Sequence, residues 1–162
     1  MPRHPHRVLQ SAALQLPIPS AMTDSVPSIP GGFGPILRSS PVLDALGGFM
    51  SRGTDASLEI GMLVGANHLN ARGALHGGVT ATLLDVGIGY MLVARSGGRR
   101  RVTARLTLDY RSSAKIGEWL QVHLDDVRED GRKTHATARL MSAERLVAQA
   151  EVLFIDASVP HT

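Results

Sequence analysis

The 162-residue sequence contains no cysteine and only 4% aromatic residues. Without cysteine there is no disulfide framework, no thiolate metal site and no cysteine nucleophile, and a reducing, cytoplasmic location is expected. The scarcity of aromatic side chains argues against base-stacking platforms for nucleic acid. The formal net charge is only +3, which suits a small anionic ligand and indicates no nucleic-acid partner.

Several catalytic motifs are also missing from the sequence. It has neither a Gly-x-x-x-x-Gly-Lys-Ser/Thr nor a Gly-x-Gly-x-x-Gly phosphate-binding loop. It has no His-Glu-x-x-His zinc motif, no Gly-x-Ser-x-Gly nucleophile elbow and no metal-site spacing around its histidines. We therefore predict no metal ion and no separate cofactor.

Composition divides the chain into three parts. Residues 1–35 contain seven of the nine prolines and few charged side chains, which predicts a flexible arm. Residues 36–157 are expected to form one globular domain, and residues 158–162 a short C-terminal tail.

Within the domain, a helical pattern precedes a series of strand patterns. Residues 77–94 are apolar nearly all round and end at Ser96-Gly97-Gly98, which predicts a buried helix. The stretch is long enough to cross a membrane, but Asp85 interrupts it, so we predict a core helix and no membrane partner. Four runs with strand character follow, at residues 102–110, 119–127, 133–141 and 146–155. This order predicts an α+β fold in which an antiparallel sheet wraps around one long central helix.

Asp85 lies at the centre of the predicted helix. A buried carboxylate costs free energy unless it has partners or a chemical task, so Asp85 is a candidate general base or nucleophile. The alternative is a structural aspartate bonded to a neighbouring backbone group or an arginine. Four small residues share its face of the helix and leave room for a substrate: Gly78, Ala81, Thr82 and Gly89.

The helix begins with His76-Gly77-Gly78, residues that do not favour helix formation. An amide N–H of Gly77, at the positive end of the helix dipole, can stabilise a developing oxyanion. His76 would fix this turn or contact the ligand. Asn70 precedes it in a loop, where asparagine is often only a turn residue, and Thr103 on a strand is by itself an ordinary strand residue.

Positive charge is concentrated at Arg99-Arg100-Arg101 and again between Arg111 and Lys115. These side chains would either meet the phosphates of a large anionic substrate or lie at solvated strand ends. We include Arg111 and Lys115 among the candidate substrate-binding residues.

The run Asn70-Ala71-Arg72-Gly73-Ala74-Leu75-His76-Gly77-Gly78-Val79-Thr80-Ala81-Thr82-Leu83-Leu84-Asp85 resembles the signature of the hotdog-fold acyl-CoA thioesterases. The branch it is most similar to is the phenylacetate-pathway and thioesterase superfamily member 2 type, and the similarity extends over roughly residues 45–155. The resemblance implies a hotdog fold and hydrolysis of an acyl-CoA thioester. It implies that Asp85 is the catalytic carboxylate and that Gly77, beside His76, supplies the oxyanion-hole amide.

The same resemblance gives roles to two further residues and to the assembly. It implies that Asn70 positions the thioester or the water, and that Thr103 orients the nucleophilic water. Members of the family are homodimers that commonly pair into homotetramers, with the active site between subunits. Asn70, His76 and Gly77 would come from one chain, and Asp85 and Thr103 from its partner.

Two alternatives stay open on the same fold. A non-catalytic acyl-CoA-binding protein would not need the carboxylate of Asp85. A hotdog enoyl-CoA hydratase or dehydratase would carry a different histidine pattern near the start of the helix, which Asn67, His68 and Asn70 do not reproduce.

Overall fold

A computed structural model describes residues 29–36 and 38–157 of the protein. The strands are β1 (Gly34–Pro35), β2 (Phe49–Arg52), β3 (Glu59–Leu63), β4 (Arg101–Tyr110), β5 (Trp119–Asp130), β6 (Lys133–Ser142) and β7 (Arg145–Asp156). The helices are α1 (Pro41–Leu46) and α2 (Gly77–Arg95). Most of the arm predicted at residues 1–35, and the tail predicted at residues 158–162, lie outside the described residues.

The strands form one antiparallel sheet in the order β1-β2-β3-β5-β6-β7-β4, and α2 packs against it. The α+β architecture predicted from the change of apolar period is therefore confirmed. The last residues of the predicted arm belong to this sheet, because β1 pairs with β2 and the Phe33 ring meets the Trp119 ring edge-on at 4.7 Å. Among the strands that the structure describes, β4 is the last of the sheet, next to β7.

One side of α2 is held tightly against the sheet. Leu83, Leu84 and Ile88 are fully buried. Gly87 allows the closest approach, since a Cβ added to it would lie 2.8 Å from a methyl carbon of Val122 on β5. The helix is long and apolar enough to cross a membrane by length and composition, but the core helix of a sheet-wrapped fold has the same properties.

The other side of α2 is only partly covered, which corrects the expectation of a helix buried all round. Within this chain the side chains of Ala81, Thr82, Asp85 and Val86 are half-buried. This surface includes several small residues around a single carboxylate, together with the larger Val86 and Tyr90. Apolar character on all sides of α2 thus exceeds what its own sheet can bury.

The C-terminal end of α2 is fixed by Arg101, whose side chain is only 3% exposed. Its guanidinium donates to the Leu92 carbonyl at 3.3 Å and to the Ser96 hydroxyl at 2.7 Å, and it pairs with Glu129 at 2.6 Å. A cation bound to the last carbonyls of a helix is stabilising. Arg101 therefore has a structural role and is not a solvated strand end.

We expect Gly87→Ala and Gly89→Ala, two positions apart on α2, to change stability in opposite directions. A Cβ at residue 89 would meet Phe154 at an ordinary 3.6 Å, so the substitution gains helix propensity of about 1 kcal/mol. At residue 87 the same gain is opposed by overpacking against Val122, which costs about 1–3 kcal/mol. Denaturant unfolding of the two variants measures the difference; equal stabilities would contradict this account of how α2 is seated.

Candidate active site

The loop before α2 is anchored by a buried histidine, His68, whose residue is 2% exposed. Its Nδ1 accepts a hydrogen bond from the Gly65 N–H at 2.9 Å, and its Nε2 lies 2.8 Å from the carbonyl oxygen of Leu46. The first contact fixes the proton on Nε2, which then donates to Leu46. The His68 carbonyl in turn accepts from the His76 N–H at 2.8 Å. The start of α2 is thereby tied to the end of α1.

Asn70 braces the same loop. Its side-chain oxygen accepts from the Arg72 N–H at 2.9 Å and from the Ala74 N–H at 3.3 Å. This is the turn role that asparagine commonly takes. The oxygen is therefore engaged inside the loop, and only the side-chain NH₂ group is left to donate to a substrate or a water.

His76 caps the N-terminus of α2. Its Nδ1 accepts from the Gly78 N–H at 2.9 Å, so a neutral ring carries its proton on Nε2 and can donate outward. The Gly77 N–H is the first of the helix and has no acceptor inside it. The turn therefore presents the amide of Gly77 and the Nε2–H of His76 at the positive end of the helix dipole.

Asp85 and Thr103 form the second part of the site. The Thr103 hydroxyl donates to Oδ1 of Asp85 at 2.7 Å. The register of β4 against β7 shifts between Thr103 and Arg105, and such a bulge re-aims the side chain next to it. The carboxylate is half-buried and not fully buried as the sequence suggested, so it is open to a substrate from the uncovered side of α2.

The two parts do not meet within one chain. Gly77 and Asp85 are eight residues apart on α2, which corresponds to about 12 Å along the helix axis. One thioester carbonyl cannot contact both groups at that separation. The structure therefore brings Asp85 together with Thr103, and His76 and Gly77 together with the Asn70 loop, as two separate half-sites.

The predicted substrate-binding residues also separate into two groups. Gly78, Ala81, Thr82 and Gly89 lie on the partly covered side of α2. The Thr82 hydroxyl donates back to the Gly78 carbonyl at 2.9 Å, and its polar group is thus satisfied within the helix.

The two predicted basic residues follow β4. The Arg111 guanidinium is already bonded, to Gln149 and to Asp109, both at 3.2 Å. The Lys115 side chain is exposed. Within residues 29–36 and 38–157, no group of three or more histidine, aspartate or glutamate side chains is arranged to hold a metal ion.

Sequence reasoning missed one residue that touches the site. The Tyr110 hydroxyl donates to the Gly77 carbonyl at 3.0 Å. In the sequence Tyr110 is one more apolar residue of an alternating strand, and only the pairing of β4 with β7 brings it to the start of α2.

An antiparallel sheet wrapped around one long helix is the architecture of the hotdog fold. The sequence matches the thioesterase superfamily over residues 72–149. It is also 42% identical, over 129 residues, to the Pseudomonas aeruginosa protein PA0474, whose name describes an esterase; the match covers 78% of this chain and 96% of that protein. The chain belongs to the thioesterase superfamily and is a thioester hydrolase.

Two further relatives agree with this assignment. Mouse acyl-coenzyme A thioesterase 13 is 32% identical over 90 residues, which cover 54% of this chain and 64% of that protein. The structure of zebrafish thioesterase superfamily member 2 superposes with a TM-score of 0.63 at 28% identity, covering 73% of this chain and 88% of that chain.

We expect Gly77→Pro to delete the candidate oxyanion donor while leaving the fold intact. Proline is favoured at the first helical position, and His76, at φ −70° and ψ 131°, already has the extended conformation that a following proline requires. The melting temperature should stay within a few degrees of the wild type or rise slightly, as proline stiffens the unfolded chain by about 0.4–1 kcal/mol. Gly77→Ala, which keeps the N–H, is the matched control. Unfolding of the proline variant alone would show that this amide is structural.

Proposed function

We propose that this protein is an acyl-CoA thioesterase in which Asp85 acts as general base or nucleophile and the Gly77 amide holds the oxyanion. The observation that carries the proposal is the 2.7 Å hydrogen bond from Thr103 to Asp85, on a helix whose first amide N–H has no partner inside the helix. The name of the mouse relative points to a coenzyme A thioester as substrate. The acyl group would lie along the small-residue side of α2.

The chemistry follows from the two half-sites. The thioester carbonyl oxygen accepts from the Gly77 N–H, where the helix dipole and a fixed donor stabilise the negative charge that develops. With Oδ1 bonded to Thr103, Oδ2 of Asp85 either takes a proton from the attacking water or attacks the carbonyl carbon itself to form an anhydride. In the first route the activated water adds to the carbonyl carbon, the C–S bond breaks and the proton held by Asp85 passes to the leaving thiolate. In the second route the C–S bond breaks as the anhydride forms, and a water molecule then hydrolyses the anhydride, regenerates Asp85 and supplies the proton of the thiol. Both routes consume one water and release a carboxylic acid and free coenzyme A thiol, and no further cofactor is needed.

We infer that the site is completed by a second copy of the chain. The separation of about 12 Å between Gly77 and Asp85 prevents them from acting together within one chain. A two-fold axis through the middle of this interval, at Ala81, would place Gly77 of each copy opposite Asp85 of the other. Ala81 is small enough for the two helices to approach closely there.

The strand β4 gives an independent estimate of where this axis lies. Thr103 contacts Asp85 and pairs with Phe154 on β7, whereas Tyr110 contacts Gly77 and pairs with Ala148. The midpoint on β7 is Glu151, which pairs with Thr107.

Two copies of β4 joined edge to edge around Thr107 would thus bring each Thr103 to the other's Tyr110. The exposure of Val102 at 54% and Tyr110 at 55% on this edge strand supports such a pairing. We expect two such dimers to associate into a tetramer, and a cytoplasmic location.

This arrangement predicts that Thr107→Cys forms a disulfide-linked dimer on mild oxidation. Residues facing their own copy at the axis of an antiparallel pair have Cα atoms about 4.5–5.5 Å apart, within disulfide range. Asp109→Cys is the control on the same exposed face, since its two copies would be about 13 Å apart. The natural chain has no cysteine to interfere. Non-reducing electrophoresis measures the result, and equal crosslinking of both variants would contradict the proposed register.

Asp85→Asn should lower free-thiol release from acyl-CoA by about 10²–10⁴-fold, because the amide keeps the shape of the carboxylate but is no base. The assay uses short, long, phenylacetyl and hydroxybenzoyl thioesters, and circular dichroism verifies that the variant is folded. Undiminished turnover would remove Asp85 from the mechanism.

Binding of acyl-CoA with no turnover by the wild type would favour the binding-protein alternative, and hydration of an enoyl-CoA without thiol release would favour the hydratase alternative.

A further inference from the structure

One peptide unit at the start of α2 is held at both of its polar ends. The carbonyl oxygen of Gly77 accepts from the Tyr110 hydroxyl at 3.0 Å. The amide of the same unit, the Gly78 N–H, donates to Nδ1 of His76 at 2.9 Å. The side chain of the capping residue and a side chain from β4 therefore fix this peptide plane between them.

The restraint acts at two consecutive glycines in the first turn of α2. Gly77 and Gly78 lack Cβ atoms, and consecutive glycines at a helix terminus have a wide range of accessible dihedral angles. The plane of the Gly77–Gly78 peptide is joined to the Gly77 N–H through the single Cα atom of Gly77. Fixing that plane narrows the directions in which the Gly77 N–H can point. An oxyanion donor is effective only when it is oriented before charge develops.

Tyr110 is well placed for this task. It is the last residue of β4 and is paired with Ala148 on β7, so the sheet holds its backbone. Its ring lies against the helix start, since a Cβ added to Gly77 would be 3.4 Å from the hydroxyl and 3.5 Å from two ring carbons. The hydroxyl thus reaches the backbone at the start of α2.

We propose that Tyr110 is a positioning residue that orients the Gly77 amide for oxyanion stabilisation. The inference rests on the proposed thioesterase function of the same site. Tyr110 acts through the backbone and not on the substrate itself, so its loss should slow the chemical step and leave substrate binding nearly unchanged.

The chain supplies a matched control, because it has only two tyrosines and both donate to a backbone carbonyl at 3.0 Å. Tyr90 lies on the same helix and donates to the Arg38 carbonyl. Tyr110→Phe and Tyr90→Phe each lose one such hydrogen bond and keep the ring. They should therefore have similar melting temperatures, and any difference in kcat reports the position of the lost bond.

Thiol release from the best acyl-CoA substrate is measured for the wild type, Asp85→Asn and both phenylalanine variants. We expect Tyr110→Phe to lower kcat roughly three- to tenfold, the effect of one hydrogen bond, with KM within about twofold and an unchanged oligomeric state. Tyr90→Phe should retain the wild-type kcat. The Gly78 amide, followed by NMR, should exchange with solvent faster in Tyr110→Phe than in Tyr90→Phe, a readout that needs no turnover.

The possible results separate the two proposals. If the wild type hydrolyses a thioester and Asp85→Asn does not, but Tyr110→Phe matches Tyr90→Phe in kcat, the positioning role is wrong and the thioesterase function stands. A loss that appears in KM, or together with dissociation of the assembly, also overturns the positioning role. If the wild type and Tyr90→Phe release no thiol from any acyl-CoA, the proposed function fails and the role of Tyr110 in it fails as well.

Discussion

The length of rigid helix between Gly77 and Asp85 is the constraint on which the rest of this structure depends. Eight residues of α2 separate the amide from the carboxylate by about 12 Å, and a helix held along one side by a sheet cannot bend to bring them together. Each of the two groups is instead contacted by a different part of β4. Thr103 binds the carboxylate, and Tyr110 binds the turn that presents the amide.

The proposed second copy of the chain also explains why one side of α2 is only partly covered. A helix that is apolar nearly all round but only half-buried in one chain needs a second surface to cover it. Several residues on that side are small, among them Gly78, Ala81 and Gly89, which suits both the close approach of a second helix and the space needed by an acyl chain. Among the described strands β4 is an edge strand, and an edge strand presents backbone N–H and C=O groups to a possible partner strand. The proposed dimer would use this helix and this strand together, in one interface with a two-fold axis.

The local features of the fold were predictable from the sequence, and the contacts between distant segments were not. The change of apolar period near residue 102 predicts the strands that follow α2, and a lone charge within an apolar run singles out Asp85. The bond from Thr103 to Asp85 depends on the pairing of β4 with β7 and on a bulge beside Thr103. The role of Tyr110 depends on that same pairing, which no local pattern encodes. The side-chain oxygen of Asn70 accepts a hydrogen bond inside its own loop, which is the turn role that asparagine commonly has in loops.

The most direct test of a site shared between two copies is a mixture of Asp85→Asn and Gly77→Pro subunits, refolded together. Each variant alone should lose about 10²-fold or more of the thiol-release activity. In an equal mixture, half of the randomly formed dimers contain one of each, and every such dimer has one site with both groups intact. The account predicts recovery of about a quarter of the wild-type activity. A mixture no more active than the separate variants would show that Gly77 and Asp85 do not act across the interface.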